Sequence, residues 1–532
     1  MLSFSSYFSV QYIFIFFPVV LVLYAVFPQK IRRIVLLLAS FSFFWAVSGK
    51  LIIFMLLSII GIHHAGLWIS SLQKDCAHIL ETAQKGEKKQ IKAYYQKKQR
   101  SAAAFCVAIH IGILLVLKYT PFFSVNINTL LEALNLPQVR IPAFALPIGI
   151  SFYTMQAVSY IFDVYRQKIS ADRNMMRLAL FMSFFPQLME GPICRYNETA
   201  HRLWEAPKLQ FHNFSLGMQR ILFGVMKKVV IADRLNLFIK TVFTGYADYH
   251  GLTIAVAAVC YTIQLYMDFS GTMDLVIGTA QIFGIRLPEN FRRPFFSKTI
   301  SEFWQRWHIT LGAWFKDYIF YPLSMSKPLK KLSSRARRRV GNHFGPLAAG
   351  SIALFCVWIA NGLWHGAGWH YIFFGMYHFA LILAGNIIEP AAARLTKFLH
   401  IRRTHFLWRC FQIVRTAILV CIGELFFRAH GLRAGLAMFK KIITDFSLDS
   451  QNIQSLFSLG MDKHDFLIAA IGVLIIFVIS LLQENRIAVR EQIARRGLII
   501  RFSVCYALIM FIIIFGAYGT GYVPVDPIYA TF

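Results

Sequence analysis

Charge is scarce in this chain, and acid is scarcer: 15% of its 532 residues are charged, and only 25 Asp and Glu face 55 Lys and Arg. Together with 57% hydrophobic and 16% aromatic content, that shortage excludes a soluble enzyme. Eight cysteines, at 76, 106, 194, 260, 356, 410, 421 and 505, stand singly with no CxxC and no paired spacing. A paired-thiol framework is therefore excluded, and they read as small buried hydrophobes. There is no Walker loop, no GxGxxG after a strand and no GxSxG elbow. Phosphate-driven transport, dinucleotide redox and serine acylation by those motifs drop out with them. The amino terminus lacks a cationic region and a small-residue cleavage site before its apolar run, so residues 11–27 read as a retained first span.

What the chain has in abundance is long apolar runs. Length alone would suggest three or four soluble domains at about 150 residues each. Instead, spans of about 20 apolar residues recur from end to end. Candidates fall at 7–27, 34–48, 51–70, 102–120, 143–163, 216–240, 253–285, 346–364, 369–388, 410–428, 465–483 and 500–518. The expectation is an all-α polytopic membrane protein with roughly a dozen spanning or re-entrant helices. One membrane domain would cover 1–532, with amino-terminal spans in 1–140, a core in 141–390 and carboxy-terminal spans in 391–532.

The net charge of +30 invites a nucleic-acid partner, yet the cations lie between apolar runs and form no single long basic tract. Positive-inside bias accounts for them, and no nucleic acid is expected. Lys30 to Arg33, Lys74 to Arg100, Arg166 to Arg177, Lys327 to Arg339, Arg394 to Arg409 and Arg486 to Arg501 fall on one side by span parity. That side is the cytoplasm, so the amino terminus is extracytoplasmic and the protein is multi-pass in the cytoplasmic membrane. The loop from Arg428 to Asp465 breaks the pattern and suggests an interfacial amphipathic helix. Phe181 to Pro192, with two prolines, a glycine and Glu190, reads as a re-entrant loop. Tyr261 to Phe283 reads as interrupted at Asp268 to Asp274.

Two histidines stand out against this background. His365 sits in Asn361-Gly-Leu-Trp-His-Gly-Ala-Gly-Trp369-His370, inside an apolar stretch from Leu347 to Leu383. An ionisable group at membrane depth is costly and is by default a functional candidate. His308 lies in Glu302-Phe-Trp-Gln-Arg-Trp-His-Ile-Thr-Leu. Treated as one helix over Ser301 to Tyr321, that segment puts His308 on the apolar stripe with Ile300, Trp304, Trp307 and Leu311. Glu302, Arg306, Thr310 and Asp317 then fall on or near the opposite face. The tryptophans read as packing that shapes a pocket, and His63, His64, His110, His370 and His378 as hydrogen-bonded structure.

Zinc is the competitor for a histidine pair. His365 and His370 are five apart, unlike the i, i+4 pair of HExxH, and no nearby carboxylate or cysteine completes a site, so no metal is expected. What remains for a buried imidazole is proton transfer. Burial disfavours the charged form, leaving His365 neutral at pH 7 and able to act as a general base towards an attacking hydroxyl.

Four segments, in order, carry a family resemblance: Asp268-Phe-Ser-Gly-Thr-Met-Asp274, Leu287-Pro-Glu-Asn-Phe291, Ser301-Glu-Phe-Trp-Gln-Arg-Trp-His308 and Gly362-Leu-Trp-His365-Gly-Ala. With Gln156 to Arg166 and Phe185 to Pro192 upstream, the stretch from about 150 to 390 resembles membrane-bound O-acyltransferases. The bacterial branch with alginate O-acetyltransferase-like proteins and the D-alanyl transfer protein of teichoic acids is the most similar. The resemblance implies a ring of helices around a thin central funnel, with His365 as the signature histidine and His308 as the second. Asn361, Trp307 and Asp317 are the supporting candidates. It further implies no tightly bound cofactor, a cytoplasmic acyl donor (acetyl-CoA or a carrier-protein thioester), and partners drawn from membrane lipid, an acyl carrier protein, and a glycan acceptor or extracytoplasmic acetyltransferase. Gly271-Thr-Met-Asp stands where the family has Gly-Tyr-Ser-Asp, and His370-Tyr-Ile is closer to the D-alanyl branch. Length and the two spans after residue 460 favour the alginate-like branch, hence acetyl.

The expected function is therefore acyl transfer from a cytoplasmic thioester to a cell-envelope glycan or an extracytoplasmic partner. D-alanyl transfer to teichoic acid is the alternative within the class. A transporter or flippase of envelope precursors, or a structural scaffold, are the alternatives outside it. Paired repeats would mark a transporter, and the amino-terminal half holds no counterpart of the His365 segment.

Overall fold

Hydropathy sets the architecture. In hydrocarbon every backbone amide must be satisfied within the chain, and helices do this locally. A computed structural model describes residues 6–142, 144–519 and 521–525, and these are predominantly helical, with one isolated antiparallel bridge, Phe291 to Trp307, and no strand. Eight stretches among the described residues are long and apolar enough to cross a membrane: Gln29–Thr82, Lys88–Ala133, Gly251–Ile282, Lys327–His365, Trp369–Phe398, Phe406–Arg428, Lys463–Glu484 and Leu498–Phe515. The first contains two helices, Gln29–Ser48 and Ile52–Thr82, parted at Gly49, whose φ of 53° is open to glycine without strain. With the shorter Tyr12–Val26, Ile150–Tyr165 and the run from Phe211 to Thr244, every expected span overlaps a helix; in the span expected at 143–163 the helix begins only at Ile150, and residue 143 lies outside the described residues. The protein is an all-α polytopic membrane protein.

The chain divides into two compact units, the first made of the described residues up to Met218 and of Val276–Pro288, the second of Gln219–Leu275 and the described residues from Glu289 on. In the first unit, the segment expected to re-enter is irregular and buried: the helix Met175–Ser183 ends, and a 3-10 turn follows at Phe185–Gln187. Its freed backbone groups are met by side chains, as irregular backbone away from water requires. Tyr7 donates to the Phe185 carbonyl at 2.8 Å and accepts from the Met189 amide at 3.0 Å, while Ser40 Oγ accepts from the Phe185 amide at 3.1 Å.

In the second unit two expectations are corrected. Asp268 to Asp274 does not interrupt its span, because Gly251–Ile282 is one continuous helix. Cations from the neighbouring run, which turns π-helical at Met226–Ala232, meet the carboxylates instead. Lys228 lies 2.7 Å from Asp268 and 3.0 Å from Asp233, and Lys227 2.7 Å from Asp274. The backbones approach where Gly224 and Gly271 cross. A Cβ on Gly224 would stand 2.5 Å from the Gly271 carbonyl, and one on Gly271 2.8 Å from that of Gly224. Small residues at a crossing permit this close approach.

The second correction concerns Ser301 to Tyr321, which is two helices, Ile300–Arg306 and Ile309–Phe315, continued by a π-helical turn at Lys316–Phe320. The loop after Arg428 contains the short helix Leu432–Thr444, buried through Ala434, Gly435 and Met438.

Candidate active site

Three elements of the second unit build the site. Thr299 caps the helix Ile300–Arg306 by accepting from the Glu302 amide, and the Glu302 carboxylate accepts from the Lys298 amide at 2.9 Å. Arg306 ends it, bound to Glu302 at 2.7 Å and to Glu484 at 3.0 Å; Arg293 reaches the same Glu484 at 2.7 Å. Beyond Arg306 the loop 290–292 takes over the backbone bonds. The Arg292 amide donates to the Arg306 carbonyl at 2.9 Å, and the Ile309 amide to the Asn290 carbonyl at 3.0 Å. Trp307 is consequently extended, and His308 is left-handed at φ 45°, ψ 51°. A non-glycine residue held there stores about 1–3 kcal/mol, which the surrounding bonds must over-determine.

Asn290 is the residue that does so. It is fully buried, and its Oδ1 accepts from the Thr310 amide at 3.1 Å and the Thr310 hydroxyl at 2.9 Å. His308 Nδ1 lies 3.3 Å from the same oxygen. An amide N–H can only donate, so the Asn290 atom facing this cluster is oxygen. The bond from Nδ1 then requires a proton on Nδ1, which leaves the lone pair on Nε2. Burial pushes His308 down to about 3, so the ring is neutral at pH 7.

His365 is the last residue of Lys327–His365. Gly341, at φ 84°, breaks that helix into a basic first part and the apolar span that carries the histidine. The span packs on Trp369–Phe398 at glycine contacts: a Cβ on Gly362 would meet the Tyr371 carbonyl at 2.5 Å, and one on Gly375 the Trp358 carbonyl at 2.4 Å. His365 is 4% exposed and His308 2%. Aromatic edges wall both: Phe427 and Phe374 have centroids 5.2 and 6.0 Å from that of His365, and Phe269 lies 4.9 Å from His308. Trp364 is their shared neighbour, 5.1 Å from His365 and 5.5 Å from His308. Sites 57 residues apart in sequence thus converge on one indole.

The supporting candidates separate. Asn361 is buried one turn before His365, and its Oδ1 accepts no hydrogen bond among the described residues. Trp307 packs, stacked on Phe303 at 5.4 Å and edge-on to Phe291 at 5.0 Å. Asp317 is half-buried on the π-helical turn. His378 is enclosed by Trp304 and Trp358 at 4.9 and 5.5 Å. Two residues escaped sequence reasoning. Asn290 stood in a quoted motif with no role assigned. Glu424 is a lone acid in the span Phe406–Arg428, 2% exposed, one turn before the Phe427 that covers His365. Its signal was an ionisable group within an apolar run.

With this geometry in place, comparison with known proteins adds four findings. The profile of MBOAT, the membrane-bound O-acyltransferase family, matches residues 74–337. The probable alginate O-acetylase AlgI of Pseudomonas syringae pv. tomato is 32% identical over 486 residues, covering 89% of this chain and 82% of that protein. The peptidoglycan O-acetyltransferase of Helicobacter pylori is 30% identical over 63% of each chain. The teichoic acid D-alanyltransferase of Bacillus subtilis is 29% identical over 56% of this chain and 71% of its own.

Proposed function

Because this chain belongs to the membrane-bound O-acyltransferase family, we propose that it carries acetyl from a cytoplasmic thioester to a hydroxyl of a cell-envelope polysaccharide, directly or through an extracytoplasmic partner. It is a multi-pass acyltransferase; acetyl, the cytoplasmic membrane, an extracytoplasmic amino terminus, and acetyl-CoA or a carrier-protein thioester as donor belong to the proposal. The observation that carries it is the pair of buried imidazoles meeting at Trp364, one with its tautomer set.

In this scheme the acceptor hydroxyl attacks the thioester carbonyl. The new C–O bond forms, the C–S bond breaks, and the hydroxyl proton passes through an imidazole to the departing sulfur. A neutral His308 with its lone pair on Nε2 suits the base, and His365 suits orientation of the hydroxyl. The converse division of roles uses the same two residues. Asn361, with an acceptor oxygen one turn from His365, suits binding of the acceptor O–H. The relatives that include a teichoic acid D-alanyltransferase favour a second reading, in which the acyl group is D-alanyl from a carrier protein.

The test compares purified wild type, His365→Ala and His308→Ala for thioester consumption and, in cells, for acyl content of the envelope. Losses of about a hundredfold or more are expected for each. Unchanged turnover in either variant would remove that histidine from the chemistry. Acetyl-CoA, acetyl-carrier and D-alanyl-carrier donors offered in parallel separate the two acyl readings.

A further inference from the structure

A cavity of about 930 Å³ lies within the second unit, lined in part by the segment that carries Asn290. Its lining is of two kinds. One rim is cationic: Arg220 and Lys227 are already engaged by Asp274 and Glu289, whereas Arg292, Arg486 and Arg490 meet no carboxylate within ion-pair distance among the described residues. The other walls are apolar, with Ile475 and Ile479 from Lys463–Glu484 and Val504, Leu508 and Phe511 from Leu498–Phe515. A second cavity of about 500 Å³, lined mainly by aliphatic and aromatic side chains, shares Tyr266, Arg293, Ile476 and Ser480 with the first. The space therefore runs from unmatched guanidiniums into an apolar slot.

Guanidiniums bind phosphate oxygens through paired N–H donors, and clustered arginines beside a span attract anionic lipid heads. The helix Leu498–Phe515 that walls the cavity has no buried residue, so its remaining surface belongs to the bilayer. We propose that this cavity is a binding site for one anionic membrane phospholipid, its phosphate on Arg486, Arg490 and Arg292 and its acyl chains along Ile479, Leu508 and the apolar slot. The site is independent of the acyl-transfer reading, since nothing in it reacts. It nevertheless adjoins the catalytic region, because Glu289 to Arg293 forms one wall and Asn290 within it holds His308.

The experiment is native mass spectrometry of the full chain in mild detergent, after incubation with palmitoyl-oleoyl phosphatidylglycerol or with the phosphatidylcholine of the same chains. Retention of phosphatidylglycerol over phosphatidylcholine is expected. Arg486→Gln/Arg490→Gln should weaken it about thirtyfold, whereas Lys330→Gln/Lys331→Gln, the same change of charge elsewhere, should not. Leu508→Trp, which fills the apolar side of the first cavity and spares the arginines, should also lower retention; monodisperse elution and an unchanged melting temperature establish that each variant is folded. Equal retention of the two lipids, or equal retention by the arginine and lysine variants, would overturn the proposal. So would displacement of the phospholipid by coenzyme A, which would assign the arginines to the phosphates of the acyl donor.

Discussion

Asn290→Ala is the substitution with the most to say about how the site works. It deletes the acceptor shared by the Thr310 amide, the Thr310 hydroxyl and His308 Nδ1. The Thr310 amide and His308 Nδ1 lose their partner at about 1–3 kcal/mol each, whereas the Thr310 hydroxyl can rotate. Release of His308 from its left-handed conformation returns about 1–3 kcal/mol, for a net destabilisation of about 1–3 kcal/mol. Turnover should fall further than stability, by about a hundredfold to ten-thousandfold, because the ring can then rotate or carry its proton on Nε2. Asn290→Asp separates positioning from folding. It keeps an acceptor at the same place, but a carboxylate beside Nδ1 favours the imidazolium and raises His308 from its low value of about 3. A base must be unprotonated to act, so the acid limb of the pH profile should move to higher pH while turnover on the plateau is largely kept. Thioester consumption against pH, with thermal melting of each variant in detergent, checks this. Wild-type turnover in folded Asn290→Ala, or an Asn290→Asp profile that does not move, would refute the tautomer argument.

Two further outcomes test the frame around the site. Gly224→Ala should cost about 1–3 kcal/mol, since its Cβ would meet the Gly271 carbonyl at 2.5 Å and backbone cannot step aside; an unchanged melting temperature would show that the helices do not cross there. Lys228→Met leaves Asp268 and Asp233 buried without their cation and should cost about 3–5 kcal/mol, read as lost folded yield, with partial rescue when Asp268→Asn is added. A mild single variant would mean that the pair is not buried as described.

Membrane character and span positions follow from hydropathy, which is a property of neighbours in sequence. His365 was legible for the same reason: an imidazole in an apolar run is anomalous without knowing its surroundings. His308 was legible as a candidate but not as a geometry. Helical periodicity placed it on one continuous stripe, because nothing within Ser301 to Tyr321 announces that a loop 18 residues upstream will capture the amides and carbonyls on which continuity depends. Asp268 and Asp274 misled in the opposite direction. Carboxylates in a span suggest a break until Lys227 and Lys228 on another helix are found to neutralise them.

Sequence by itself thus determined the solvent in which this chain folds, the order of its helices, its family, and the two histidines suited to moving a proton. Tertiary structure alone decided that both histidines adjoin one tryptophan, that Asn290 assigns the His308 proton to Nδ1, and that unmatched arginines from distant segments rim one cavity. The division has a physical cause. Transfer from water to hydrocarbon is summed over adjacent residues, whereas a hydrogen bond or an ion pair exists only where separate segments are brought within about 3 Å of each other.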